Sequence, residues 1–291
     1  MATPITAAMV KKLRDDTGAG MMECKGALTE ANGDFEAANT ILRKRGLASA
    51  AKKAGRATSE GLIGHRVSAD HQSGVLAEVN CESDFVARTP DFQQLVENVL
   101  TEIEQAGDGA TDTWLKDPAG PIQKHVAAGI AKMGENMAVP RFVRYAGQGY
   151  VSQYVHLGGK IAVQVEIGGV PPGGATSDTF PTFVKEIAMH IAAASPTYAN
   201  RAAVPAEILD REKSIYRAQM EGTGKPANVL EKIIEGKLGS FYSQFVLTDQ
   251  ASIFDPKGKA TVSDMIAAAS KAVGAPLTIT RFSRFKVGEA Q

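Results

Sequence analysis

Apolar residues recur at helical spacing from the start of the chain. Met9, Val10 and Leu13 follow a candidate N-cap at Thr6, and Gly18 and Gly20 break the pattern after Thr17. A second helical segment from about Met21 to Ala31 stops at Asn32-Gly33, and Asp34 opens a third whose Phe35, Ala38, Ile41 and Leu42 share a face until Gly46 ends it. The stretch LASAAKKAGRATSEG that follows has no apolar stripe and reads as a solvated helical linker. From residue 61 the period changes to two: GLIGHRV, a polar turn around Ser68 to Gly74, then VLAEVNC, in which Val75, Ala77, Val79 and Cys81 alternate onto one face of a hairpin. Thr89 and Pro90 suit Ncap and N1 of a helix carrying Phe92, Val96, Val99 and Ile103 as its stripe.

A similar series of elements recurs further on. Strands are expected near Pro140 to Tyr145 and Tyr150 to His156, then KIAVQVEI, then a Pro181-started helix with Phe183, Ile187 and Ile191. Both helices begin Pro-x-Phe, which implies a core of two related strand-plus-helix halves. Between about Ser195 and Phe245 this pattern is interrupted by a helix from Ile208 to Met220, a turn at GTGKP, and a helix with Leu230, Ile234 and Phe241 on one side. So short a connection requires the two to pack antiparallel. A helix from Ser263 to Val273 and the alternating LTITRFSRFKV, with Leu277, Ile279, Phe285 and Val287, complete the core. The fold class is therefore α+β: a three-helix module with its linker over 1–56, a first subdomain over 57–145, and a second over 146–291 with a helical hairpin inserted at about 196–245.

Composition narrows the function. The 291 residues are 44% hydrophobic, enough for a sizeable core, and 32 basic residues cancel 32 acidic ones, so the whole chain has no electrostatic case for wrapping nucleic acid or lying on an anionic membrane. A protein partner or small ligand fits better. The opening MATPITAAMVKK lacks the pattern of a signal peptide, and no segment reaches the ~18 consecutive apolar residues of a membrane span, so a cytoplasmic location is expected. Cys24 and Cys81 are far apart in no ligand spacing, as in unpaired thiols of a reducing compartment. Residues 1–56 carry ten basic against six acidic side chains, a local net charge of +4.

No active site is visible. Gly222-Thr223-Gly224-Lys225 resembles a phosphate-binding loop, but Gln219 stands at the first glycine position and Pro226 replaces the Ser/Thr needed for Mg²⁺; Gly158-Gly159-Lys160 fails likewise, with Gln153 and Ile161 at the required places. The histidines at 65, 71, 125, 156 and 190 have no zinc-ligand spacing. Neither cofactor nor metal nor direct nucleotide binding is expected.

Two segments nevertheless stand out. In LRDDTGAGMMECK, residues 13–25, two glycines permit a tight interhelical turn that presents Met21 and Met22. Neighbours on a helix point about 100° apart, so one methionine can serve the core while the other forms an adaptable binding surface; the plainer reading has both filling a small core. In EVNCESDFVAR, residues 78–88, a core strand runs out through Glu82, Ser83 and Asp84 to Phe85. Phe85 taken alone is a core plug under the loop; the functional alternative is an aromatic wedge with an acidic neighbour at a rigid strand end.

Together the Leu-Arg-x-x-Thr-Gly-x-Gly-Met-x-x-Cys-Lys and Asn-Cys-Glu-Ser-Asp-Phe-Val-Ala runs resemble the two signature stretches of the elongation factor Ts family, and the likeness extends in order over nearly the whole chain. The resemblance implies a ubiquitin-associated-like N-terminal module, a core of two α/β subdomains with antiparallel sheets, and a non-enzymatic guanine-nucleotide exchange factor that binds elongation factor Tu. It implies that Arg14, Met21 and Met22 dock on a helix of the partner's nucleotide-binding domain. It further implies that Asp84, Phe85 and Val86 enter near its Mg²⁺ site with Met133 packing close by, and that His156, Gly158 and Gly159 meet another partner domain. The helical hairpin is implied as a route to a homodimer. Ser83 stands where Thr is common, which keeps the hydroxyl, and the chain ends at RFKVGEAQ where some relatives continue with a further helical module, so that contact is expected to be missing.

Two other classes compete. An RNA- or ribosome-binding protein would use the basic first module and would lose affinity steeply with salt. A thiol enzyme would need an exposed Cys81 of lowered pKa, against its place on the apolar-alternating face.

Overall fold

The first two helices form as the pattern predicts. In the computed structural model, which describes residues 4–147, 149–220 and 226–289, α1 (Ala7–Thr17) is capped by Thr6, whose hydroxyl accepts from the Met9 N–H at 3.3 Å, and Gly18 ends it in the left-handed region. It is followed by α2 (Met21–Glu30) and α3 (Phe35–Lys53). Val10, Leu13, Cys24, Ala27, Leu28, Ala38 and Leu42 bury a small core of their own.

The hairpin of β1 (Glu60–Val67) and β2 (Ser73–Cys81) leads through the short α4 (Asp84–Ala87) into α5 (Pro90–Ala106), capped by Thr89 with Pro90 at N1. Next come α6 (Pro121–Met133) and β3 (Met137–Ala146). The sheet order is β1-β2-β3, antiparallel throughout, so the strand expected around Pro140 to Tyr145 is the third of the first sheet. Helix α6 had no counterpart in the sequence expectations. Its Ile122, Val126 and Ile130, four residues apart behind Pro121, are buried with Phe92, Val96, Val99 and Ile103 of α5 against the outer face of β2.

Helix α3 does not end at Gly46. A glycine in helical backbone weakens a helix without stopping it. Here the missing side chain lets α3 cross α6 closely: a Cβ on Gly46 would lie 3.4 Å from that of Ala131. The stretch expected as a solvated helical linker is helical through Lys53, as the end of α3, and largely exposed, but it is not free of the core: Ala50 packs on the first cluster.

The second sheet repeats the plan with β4 (Tyr150–His156), β5 (Ile161–Gly168) and, at the far end of the chain, β6 (Thr278–Lys286), in the order β4-β5-β6. Helix α7 (Phe180–Ala194) covers its outer face with Phe180, Phe183, Val184, Ile187 and Ile191. Between α7 and β6 lie α8 (Ala206–Gln219), α9 (Ala227–Phe245) and α10 (Val262–Val273). Helices α8 and α9 are antiparallel: Arg217 pairs with Glu231 towards one end, while Ile208 and Leu209 pack with Phe241, Tyr242 and Phe245 at the other. The expected turn at residues 222–225 lies outside the described residues.

The inner faces of the two sheets stack on each other. Strand β2 is accordingly buried on both sides, with Leu76 facing Ile63, Ala162 and Phe285 between the sheets, which an alternating pattern alone could not convey. Each sheet also sends a carboxylate-arginine pair into this layer. Glu78 on β2 accepts from Arg141 on β3 at 2.7 Å, and Glu166 on β5 accepts from Arg281 on β6 at 2.5 Å. Each pair is directly registered across its ladder and adjoins a register shift, and each arginine lies over an aromatic ring of the other sheet, Arg141 over Phe285 and Arg281 over Tyr145. The helix–sheet–sheet–helix core therefore carries matching devices in its two halves.

Candidate functional site

Residues 82–87 leave the end of β2 on a pedestal that is over-determined for a loop. Ser83 caps α4 by accepting the Val86 N–H, and both its own N–H and its hydroxyl donate to the Glu135 carboxylate, at 3.0 and 2.6 Å. Glu82 accepts the Asn136 N–H at 2.6 Å and pairs with Arg56 at 3.3 Å, while the Asn136 amide donates to the Arg56 carbonyl at 2.7 Å. The Asn136 N–H foremost, then Arg56, holds the Glu82 carboxyl below its ordinary pKa. Lys53, at the end of α3, donates to the Gly134 carbonyl at 2.8 Å. On the inner side of α4, Ala87 is buried and Val86 packs half-buried against the first core. On the outer side, Phe85 is 80% exposed and Asp84 pairs with Arg88 at 2.7 Å. The plug reading of Phe85 is thereby overturned: Val86 and Ala87 already fill the space beneath. Met133 lies below the pedestal, with its sulfur 3.9 Å from the Thr89 hydroxyl that caps α5.

The turn between α1 and α2 forms a second projecting end. Met21 is 59% and Met22 75% exposed, so neither enters the core; Cys24, Ala27 and Leu28 take the inward positions of α2, and both methionines sit in its first turn. Arg14 is exposed on α1. Gly18 approaches the Lys132 side chain, which pairs with Asp91 at 2.8 Å, so the turn abuts the start of α5 and the end of α6. Arg14, Met21 and Met22 thus share one end of the helical module, beside the helix that the pedestal runs into.

The third group lies at the β4–β5 turn. His156 is exposed, its ring nitrogen 2.9 Å from the Tyr154 hydroxyl. Gly158 and Gly159 have φ values of 61° and 93°, conformations open to glycine, and a Cβ on Gly159 would press on Leu62 of β1 at 3.2 Å. Between His156 and these glycines, Leu157 is held at φ 50° and is 67% exposed. Sequence reasoning passed over Leu157, although a large apolar residue next to two glycines in a turn has little core to enter. Lys160 pairs with Glu60, whose cross-strand partner is Cys81, so this turn and the Phe85 pedestal rise from the same end of β1.

A family model described as Elongation factor TS matches residues 82–289. Elongation factor Ts of Trichlorobacter lovleyi is 44% identical over 291 residues, covering 98% of this chain and 93% of that one. This chain belongs to the elongation factor Ts family. Elongation factor Ts of Nitratiruptor sp. is likewise 44% identical and that of Clostridium acetobutylicum 41%, each again covering 98% of this chain and 93% of the relative.

For a member of this family, the surroundings of Cys81 tell against thiol chemistry. The thiol is fully buried and donates to the Ser83 carbonyl at 3.1 Å. Burial, with the Glu135 charge adding to it, pushes its pKa up to about 11. Cys24 is also buried, and both cysteines are free. Among the described residues no cluster of His, Cys, Asp and Glu could hold a metal ion, and no helix is long and apolar enough to cross a membrane.

Proposed function

We propose that this chain is a guanine-nucleotide exchange factor that binds elongation factor Tu in the cytoplasm and promotes release of GDP, with Mg²⁺, so that GTP can bind during translation elongation. Family membership supports the partner, and the observation that carries the mechanism is Phe85, a large aromatic ring exposed on a capped and clamped helical turn. A bound nucleotide leaves slowly because many charge-assisted contacts hold its phosphates and metal. An exchange factor speeds release by binding the nucleotide-free conformation more tightly, without covalent chemistry. Phe85 acts as the wedge, Asp84 disturbs the surroundings of the metal, and Val86 and Met133 support them from beneath. Arg14, Met21 and Met22 dock the helical module, whose exposed thioethers adapt to a partner surface. His156, Gly158 and Gly159, with Leu157 at the tip, engage a further domain of the partner. The α8–α9 hairpin, with Ile215 and Val229 exposed, offers a route to self-association.

Burying one phenylalanine ring stabilises by roughly 1.5–3 kcal/mol, and each ~1.4 kcal/mol is tenfold in rate. Phe85→Ala should therefore slow stimulated release by about ten- to a hundredfold while leaving the thermal unfolding midpoint unchanged. Stopped-flow release of a fluorescent GDP from elongation factor Tu measures this, and a wild-type rate would refute the wedge. Linkage adds a reciprocal expectation: excess GDP must expel the factor as strongly as the factor expels GDP.

A further inference from the structure

Phe85 stands on a helix of four residues, too short to persist on its own hydrogen bonds, so its attitude is set by what holds Ser83 and Glu82. That hold comes from residues 134–136. Both oxygens of Glu135 are engaged by Ser83: Oε2 accepts the backbone N–H and Oε1 the hydroxyl. With its proton committed to Glu135, the Ser83 oxygen presents a lone pair to the Val86 N–H and closes the α4 cap. A carboxylate is the side chain that can take both donors at once, and the bonds it accepts are charge-assisted. The neighbouring contacts close a ring: Asn136 donates its N–H to Glu82 and its amide to the carbonyl of Arg56, just beyond α3, and Arg56 donates to Glu82. Three chain segments, 53–56, 82–83 and 134–136, are thereby tied by polar bonds directly under the exposed ring.

We propose that Glu135 is a positioning residue for nucleotide release, fixing the angle at which Phe85 is presented, and that Glu82, Asn136 and Arg56 set that angle relative to the docked end of α3. The inference rests on the wedge reading above. Glu135 touches no partner in this role; it acts through Ser83.

The test measures stimulated release of fluorescent GDP across a concentration series of the factor, giving a saturating rate and a half-saturating concentration for each variant. Glu135→Ala should lower the saturating rate about tenfold and move the half-saturating concentration less than about twofold, because the contacts of the helical module are untouched. Glu135→Gln, which keeps one acceptor oxygen, should recover part of the rate. In a Phe85→Ala background, Glu135→Ala should cost less than about a further twofold, since there is no ring left to aim. A purely structural role would instead multiply the two losses and lower affinity with rate, and that result overturns the proposal, as does a wild-type saturating rate for Glu135→Ala. Should Glu135→Ala fail to fold, Ser83→Ala removes the hydroxyl bond from the other side and is expected to behave alike. If Phe85→Ala slows release and the Glu135 variants do not, this inference alone fails; if Phe85→Ala itself is silent, the wedge reading fails with it.

Discussion

An aromatic ring left in water beside a strand end needs a reason, and at Phe85 the reason is that its neighbours already occupy the interior. The segment was marked by its residues, but which of Phe85, Val86 and Ala87 faced out was not legible: a four-residue helix has no periodicity to read, and the answer depends on α5 and β2 meeting beneath it. The same holds for Met21 and Met22. Their replacement by alanine together should weaken binding to elongation factor Tu while changing the unfolding free energy by less than about 0.5 kcal/mol, as for surface positions; titration calorimetry and thermal melts check the two halves. His190 makes the opposite kind of residue. It is fully buried on α7, its Nε2 2.9 Å from the Gln250 Oε1, while Gln250 donates its amide to the Gln244 carbonyl and so keeps that oxygen turned to the ring. Nε2 therefore carries the proton, and Nδ1 accepts the Ile253 N–H at 3.4 Å. Burial lowers the His190 pKa below 6.5, with the Gln250 bond opposing it. Below 6.5 the unfolded chain takes up the proton that the fold refuses, so stability present above that pH is lost as pH falls through the folded value. His65, also lowered by burial, adds the same sign. Wild type should lose unfolding free energy as pH falls below 6.5, and His190→Gln should flatten part of that slope.

At the scale of elements, the sequence was most readable where a cap and a stripe coincide. Thr6, Asp34 and Thr89 each accept the backbone N–H expected of an N-cap, at the helices their apolar spacing marked. Errors arose where tertiary packing overrode a local signal. Glycine at position 46 suggested a stop, yet α3 continues because α6 supplies a surface for it; Ile122, Val126 and Ile130 carried the signal for α6, but the run is short and rich in alanine. The Gly46 contact gives a graded prediction. Alanine there would gain helix propensity of up to ~1 kcal/mol, and its Cβ would meet Ala131 at an ordinary van der Waals distance of 3.4 Å. Gly46→Ala should therefore hold or raise the unfolding midpoint. Gly46→Leu must push α3 off α6 and should destabilise by about 1–3 kcal/mol, the usual range for overpacking. Hydrogen exchange would locate the loss: protection in α3 beyond residue 46 should fall while that of β5 is kept, and equal behaviour of the two variants would show that the crossing is not close.

For the molecule as a whole, two sheets meet through a layer that is only partly apolar, and the cost of that choice should differ between the halves. Glu78 and Glu166 occupy equivalent places, but their arginines do not share the same access to water: the Arg141 side chain is 13% exposed and that of Arg281 is 44%. Each carboxylate also accepts one backbone N–H, Glu78 that of Gly288 at 2.8 Å and Glu166 that of Gly149 at 3.3 Å, so the exposure of the arginines is what separates the two pairs. Removing one partner of a buried pair leaves the other charge uncompensated, at a cost of about 3–5 kcal/mol, whereas an arginine that can turn to solvent recovers much of its hydration. Glu78→Ala should thus lose on the order of 3–5 kcal/mol in urea unfolding, and Glu166→Ala about half of that or less. The repeat is inferred from a recurring series of strands and a helix that starts Pro-x-Phe, cues that say nothing of these pairs, because charged residues on strands ordinarily mark a solvated face. If the two alanine variants lost equal stability, the inner layer would be uniformly wet or uniformly dry, and the asymmetry between Arg141 and Arg281 would have no energetic meaning. If Glu78→Ala alone were mild, water must reach the Arg141 guanidinium through the Phe285 side of the sheet contact, and the two sheets could not be packed there as closely as Leu76, Ala162 and Phe285 require.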